Sequence, residues 1–504
     1  MIRSSSSSAA SAPLDQGRRD LRLGPATAGR DLLEALARRV GKRHIEDAGA
    51  HVISAQFLHQ TMFIAATIDP SGAIWCRRAA GRAGEPRLLD LRRRALLERR
   101  PQGHRRVEVE RRGGGHERRQ GRSWRISSST VCAAPAGFHP LCGADPVTLL
   151  GLLARKGPPS AAGLLPFAIA LASSLGRLPF TAAERAWSAY ALRRAGPLPP
   201  PIFILGHMRS GTTHLHNLLA ASGQFATVPP VLAGMPWEAF GLARVLRPFV
   251  EQYLPADRLI DRVRVGADSP TEDEIALANM HALSYYHAIY FPRRFAKAYR
   301  RGLLPDDGTG EEVARWQRTL RHYVGKMAAL GAGRPLLLKN PAYTARIGAI
   351  RALWPEARFV HIYRDPYVVF ESTCRALRTV LRELALQGYE HVAIEEVVLE
   401  VYPRLMGSLL EQADRLPPDR IVHLRFEELE RDPLGTLERI YASIRLEGYA
   451  TARPRIEAYL DSIRDYRKTA YSFSTENVGR VTERWQPFVT RFGYQPPDRE
   501  RRAA

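Results

Sequence analysis

Through the middle of the chain, short unbroken apolar runs alternate with stretches whose apolar residues recur every three or four positions. Ile-Phe-Ile-Leu at 202–205 has the pattern of a strand buried on both faces, and Leu215, Leu218 and Leu219 then repeat at helical spacing. Apolar runs at 336–339, 359–363 and 420–424 predict three more strands. Helices are expected over 341–353, in the stretch carrying Ser372, and from Phe426 onward, with an amphipathic helix over 311–330. Strands alternating with helices argue for an α/β fold, a three-layer sandwich whose central parallel sheet is covered on both sides. In such sheets ligands sit off the carboxyl ends of the strands. Gly211, Lys339, Arg364 and the residues after Arg425 all fall at those ends.

The N-terminal part reads differently. Ser4 to Ser8 is a serine run that suits a disordered segment. The sequence at 61–75 reads as a strand, a D-P-S-G turn and the start of a second strand. Residues 76–125 are rich in Arg and Gly, with 17 basic and 6 acidic side chains, so much of the net charge of +23 is concentrated there. Clustered arginines can neutralise phosphates. Neither a recognition motif nor interleaved aromatics accompany them, so nucleic acid is not the expected partner. A basic disordered arm or a non-native extension over 1–130 is expected instead.

Next come apolar helical stretches at 147–153 and 161–175, read as an N-terminal helical cap over 131–200 that ends in the Pro-rich linker AGPLPP. Residues 157–176 carry no charge, but Pro158, Pro159 and Pro166 make them a poor membrane span. A packed cap is the expectation, with peripheral membrane contact through 157–177 as the alternative, where Arg155, Lys156 and Arg177 would flank an interfacial helix. The four cysteines show no C-x-x-C spacing and fit thiols in a reducing compartment. No apolar leader follows the N-terminus, so a cytoplasmic location, with or without membrane association, is expected.

The chemistry centres on Gly206-His-Met-Arg-Ser-Gly211-Thr-Thr213, a glycine-bounded turn between the first strand of the core and its helix. Backbone N–H groups and a helix N-terminus converge on an anion in that geometry. The spacing is that of a Walker A loop, but Thr212 stands where its lysine would reach the β- and γ-phosphates. A kinase or NTPase reading loses its main support, and a smaller 5′-anion is favoured, with Arg209 as the charge inside the loop. The turn resembles the 5′-phosphosulfate loop of sulfotransferases, which use 3′-phosphoadenosine 5′-phosphosulfate (PAPS). Lys339 with Asn340 and Pro341, then Arg364 with Ser372 eight residues later, extend the resemblance to the large bacterial branch of that family over 141–494.

That resemblance implies a P-loop-like α/β domain over 201–504. It would transfer a sulfuryl group from PAPS to a hydroxyl or amine acceptor, with no metal required. It also implies nucleotide contacts at Gly206, Arg209, Ser210, Gly211, Thr212 and Thr213, and a 3′-phosphate site at Arg364 and Ser372. Lys468, in a segment similar to the loop that closes over the nucleotide, would be a further 3′-phosphate contact. Sulfuryl transfer depends on positioning and charge stabilisation, jobs assigned to Arg209 and Lys339. The position where animal cytosolic members carry a histidine base is Pro341 here. Other branches use glutamate, so Glu272 or Glu274 is the expected base, with His281 behind them. Ser269 as N-cap and Pro270 at the first helical position predict a helix start that would place these acids in its first turn. His214 and His216 point about 200° apart on a helix and do not suit joint metal ligation. A degenerate P-loop kinase or NTPase and a non-catalytic nucleotide- or nucleic-acid-binding protein remain the alternatives.

Overall fold

The computed structural model describes four strands between His51 and Leu89 and residues 139–497, except 195, 197, 254–265, 281–282 and 465–470. The chain divides into two units. In the first, β1 (His51–Ser54), β2 (Ile64–Ile68), β3 (Ile74–Arg78) and β4 (Arg87–Leu89) form an antiparallel sheet in that order. The hairpin read at 61–75 is β2 and β3, with Ile68 paired to Ile74. The serine run and most of the Arg-rich stretch lie outside the described residues.

The second unit is built on β5 (Ile202–Leu205), β6 (Leu337–Lys339), β7 (Arg358–Tyr363) and β8 (Ile421–Arg425). Their order is β6-β5-β7-β8, and every pairing is parallel. Side chains alternate along β5, so its two faces enter different cores. Phe203 and Leu205 pack with Trp316, Leu320 and Tyr323 of α5 and Leu277 of α4, the helices Gly310–Leu330 and Glu274–Met280. Ile202 and Ile204 pack with Leu215, Leu218 and Leu219 of α3 (Thr212–Ala221) and with Ile440 and Ile456 of two later helices. The sheet is covered on both sides, as its uninterrupted apolar strands require.

A third core joins the remaining helices. Leu149 and Leu152 of α1 (Pro146–Lys156) and Phe167 and Ala170 of α2 (Ala161–Arg194) pack in one cluster with Tyr367 and Phe370 of α6 (Pro366–Leu384). Tyr402 of α7 (Ile394–Ala413) stacks on Trp485 of α8 (Thr475–Arg491) in the same cluster, with ring centroids 3.8 Å apart. The cap therefore shares a core with the helices that follow β7 and β5. Helix starts are capped as their sequences dictate: Asp145 accepts from the Thr148 N–H ahead of Pro146, and Asp365 accepts from the Tyr367 N–H ahead of Pro366.

Two expectations need correction. Arg177 does not flank an interfacial helix; it is buried inside the cap, donating to the carbonyls of Cys142 and Ala144 and pairing with Glu238 at 2.5 Å. The helix expected from Pro270 begins only at Glu274, and Ser269 accepts from the Gly266 N–H instead of capping it. Tertiary bonds take the would-be first turn: the Thr271 N–H donates to Val228 O, and the Asp273 N–H to Lys339 O. The segment is thereby laid against the end of β6, and this places its acids.

Candidate active site

At the end of β5 the chain turns sharply. Gly206 and Gly211 have φ of 147° and 97°, conformations that L side chains rarely adopt. Space forbids a side chain as well: a Cβ at Gly206 would lie 2.4 Å from Ile362 O, and one at Gly211 2.2 Å from the Phe426 ring. Arg209 also sits in the left-handed region, at φ 72°, a cost of the kind found where a loop is shaped for a ligand. Thr344, just past β6, clamps the loop by accepting from the Gly206 N–H and donating to the Gly206 carbonyl. The Ser210 hydroxyl is turned inward and donates to His207 O at 2.8 Å. Gly211 caps α3, whose first residues, Thr212 and Thr213, line the cleft with Arg209.

The two motifs read as anion-binding meet. Arg209 Nε donates to Ser372 Oγ at 2.9 Å, across 163 residues of sequence. Ser372 is 2.8 Å from the Tyr471 hydroxyl, at the edge of the segment read as a closing loop. Arg364 lies over the Phe426 ring, 4.4 Å from its centroid. Burial lowers the Arg364 pKa from its ordinary value, while Glu430 and Glu427 pull it upward. Arg209, Thr212, Thr213, Arg364, Phe426 and Tyr471 line one cleft of about 1640 Å³, and Pro229 and Val231 of the stretch at 229–240 form part of its wall. Trp237 and Phe240 of that segment do not line it; they take Arg185 and Lys326 over their rings.

At the end of β6, Lys339 Nζ is 2.8 Å from Glu272 Oε2. The Tyr285 hydroxyl donates to the other oxygen of Glu272. Neither member of the pair lines the large cleft. The three neighbouring acids have different fates. Glu272 keeps 12% of its side chain exposed, whereas Asp273 and Glu274 are fully buried. Asp273 accepts from the Tyr343 hydroxyl at 3.1 Å, and burial raises its pKa well above the usual carboxylate range. Glu274 accepts from Asn340 Nδ2 at 2.5 Å. Burial pushes its carboxyl up to about 7, against the attraction of Arg346.

An acid whose folded pKa is raised contributes stability that is fully present below its ordinary pKa and lost as pH rises through the folded value. Glu274 should therefore cost the wild type up to about 3 kcal/mol between pH 4.5 and pH 8. Glu274→Gln should flatten that part of the profile, as read by urea unfolding at pH 5 and pH 8. An unchanged slope would refute the assignment.

His214 lines the cleft, while His216 is buried against Leu337 O at 3.3 Å, so the two face different ways, as their spacing requires. His281 and Lys468 lie outside the described residues. Asn340 stands in the motif beside Lys339 and Phe426 is the first of the residues after Arg425, whereas nothing in the sequence singles out Tyr285 as a partner of Glu272.

A model of the sulfotransferase family matches residues 200–450. The omega-hydroxy-beta-dihydromenaquinone-9 sulfotransferase Stf3 of Mycobacterium bovis is 32% identical over 295 residues, 58% of this chain and 75% of that protein. The Stf3 of Mycobacterium tuberculosis gives the same figures. The chain belongs to the sulfotransferase family. The crystal structure of sulfotransferase STF9 from Mycobacterium avium shares the fold, with a TM-score of 0.53 over 70% of this chain and 97% of its own at 18% identity. Membership separates this sulfotransferase from the kinase and NTPase alternatives left open by the Walker A spacing. The nucleic-acid alternative rests on 76–125, most of which lies outside the described residues.

Proposed function

We propose that the protein transfers a sulfuryl group from PAPS to an acceptor hydroxyl. The observation that supports the donor is the 2.9 Å bond between Arg209 of the glycine-bounded loop and the buried Ser372, with Arg209 and Arg364 lining the same cleft. The loop, the start of α3 and Arg209 take the 5′-phosphosulfate, and Arg364 and Ser372 take the 3′-phosphate. Ser210 contributes its backbone, since its hydroxyl is engaged with His207 O. Lys468, the further 3′-phosphate contact expected from the sequence, stays a proposal.

Glu272 acts as the base. It takes the acceptor proton as the acceptor oxygen bonds to sulfur, and the bond from sulfur to the bridging oxygen breaks to release adenosine 3′,5′-bisphosphate. Lys339 and Arg209 stabilise the charge that develops on the leaving oxygen. Glu274, the other candidate from the sequence, is fully buried and held by Asn340. The Stf3 relative is named for an omega-hydroxy-beta-dihydromenaquinone-9, and a hydroxyl on a hydrophobic carrier is the acceptor class we carry to this chain.

The donor site is tested at Arg364. Charge-assisted hydrogen bonds to phosphate contribute roughly 1.5–3 kcal/mol each, so Arg364→Ala should weaken adenosine 3′,5′-bisphosphate binding about tenfold or more. AMP, without the 3′-phosphate, should bind the variant nearly as it binds the wild type. Equal losses for the two ligands in calorimetry would overturn the assignment.

A further inference from the structure

The sidedness of α2 is inverted. Its buried stripe runs through Gly163, Phe167, Ala170, Ser174, Arg177, Thr181, Glu184 and Ser188, so from Ser174 onward the inward positions are polar or charged. Arg177 pairs with Glu238, and Glu184 with Lys326. Between Ala161 and Glu184 these two are the charged residues, and both point inward. Outward stand Leu164, Leu165, Leu175, Leu178, Phe180 and Trp187, with Leu165 69% exposed and Trp187 58%. Val147 and Leu150 of α1 are exposed as well. A helix at a water surface normally does the reverse, and a contiguous exposed apolar patch of this kind marks an interaction site.

The shape and surroundings of the patch select the partner. At about 100° per residue, the outward apolar positions of α2 cover roughly 200° of its circumference. A face this wide suits a fluid phase, which wets half a cylinder, as interfacial helices are wetted. Charge points the same way. At the C-terminal end of α1, a few residues before α2 begins, lies a pocket of about 240 Å³ lined by Arg155, Lys156, Arg294, Lys297, Arg301 and Arg315, with Glu312 as the acid among its lining residues. Glu312 pairs with Arg301, and Glu311 with Arg315, which leaves the pocket strongly positive. Burial lowers the Lys156 pKa, and repulsion from Arg301 and Arg155 adds to the shift. At the C-terminal end of α2, Trp187 and Tyr190 precede Arg193 and Arg194, the aromatic and basic composition of a membrane interface.

We infer that the outward face of α2, with Val147 and Leu150, sinks into the headgroup region of an anionic bilayer, and that the basic pocket receives lipid phosphate groups. The helix is long and apolar enough to cross a membrane. Its inward ion pairs fasten it side-on to the folded unit, so it lies on the bilayer and does not thread it. The inference stands whatever the acceptor is.

The test is flotation of the full chain with vesicles of phosphatidylcholine, with and without phosphatidylglycerol. The wild type should float with the anionic vesicles and much less with the neutral ones. Leu165→Glu/Phe180→Glu should cut partitioning at least tenfold with an unchanged melting temperature. Arg294→Gln/Lys297→Gln should weaken binding to anionic vesicles about tenfold or more. Residues 1–130 are themselves basic, so the comparison of wild type with variants decides. Flotation equal in wild type and variants, flotation indifferent to lipid charge, or no flotation would overturn the inference. So would a dimer in light scattering that Leu165→Glu/Phe180→Glu dissociates, which would make the face a self-interface.

Discussion

Glu272→Gln is expected to lower turnover by about a hundredfold to ten-thousandfold while PAPS affinity holds, the signature of a lost proton acceptor. Of the acids at 272–274, Glu272 alone keeps any exposure. Asp273 and Glu274 are fully buried, whereas Glu272, though held by Lys339 and Tyr285, reaches the surface. In the structure the Lys339 ammonium sits 2.8 Å from Glu272 Oε2 and holds that oxygen. The arrangement works if Lys339 swings to the leaving oxygen as the donor binds, freeing Glu272 for the acceptor. Glu274→Gln should leave turnover near normal, and His281→Ala should do far less than Glu272→Gln. If Glu272→Gln retains near-normal turnover with a true acceptor while His281→Ala abolishes it, the histidine is the base.

A second large effect is expected far from the chemistry. Glu184 pairs with Lys326 at 2.7 Å and accepts from the Phe240 and Gly241 N–H groups. Lys326 in turn donates to the carbonyls of Pro236 and Trp237. Glu184→Ala removes one partner of a buried ion pair and strands the other charge together with two N–H donors, a loss of about 3–5 kcal/mol. The double variant Glu184→Ala/Lys326→Met removes the stranded charge and should be clearly more stable than Glu184→Ala alone. Urea unfolding of the set tests this, and additive losses would show that the two residues do not act as a pair.

The parts of the candidate site that local pattern sets up as structure were legible in the sequence. Ile202–Leu205 and the glycines at 206 and 211 define a strand and a turn within a dozen residues, and Arg364 and Ser372 are joined by one helix start. The helix start at Ser269 was misread because capping preferences are worth about a kilocalorie, less than the combined bonds of Thr271 to Val228 and Asp273 to Lys339. Tyr285 and Asn340 reach the acids through contacts that no spacing rule encodes. Arg177 was assigned to a helix flank because a segment of alanines and leucines carries too little periodicity to say which side faces the protein. The deciding partner, Glu238, lies sixty-one residues away.

The strand order also governs how the molecule is made. Ile202 of β5 pairs with Leu337 on one side and Arg358 on the other, so neither partner exists when β5 leaves the ribosome. At typical synthesis rates of about 5–20 residues per second, the wait for β6 is on the order of ten seconds. Throughout it, Ile-Phe-Ile-Leu offers both edges unpaired, and the glycine turn has no Thr344 to clamp it. Of the four strands in this sheet, the one that leads into the glycine turn is therefore the one that translation leaves longest without a neighbour, and the nascent sheet needs protection there first.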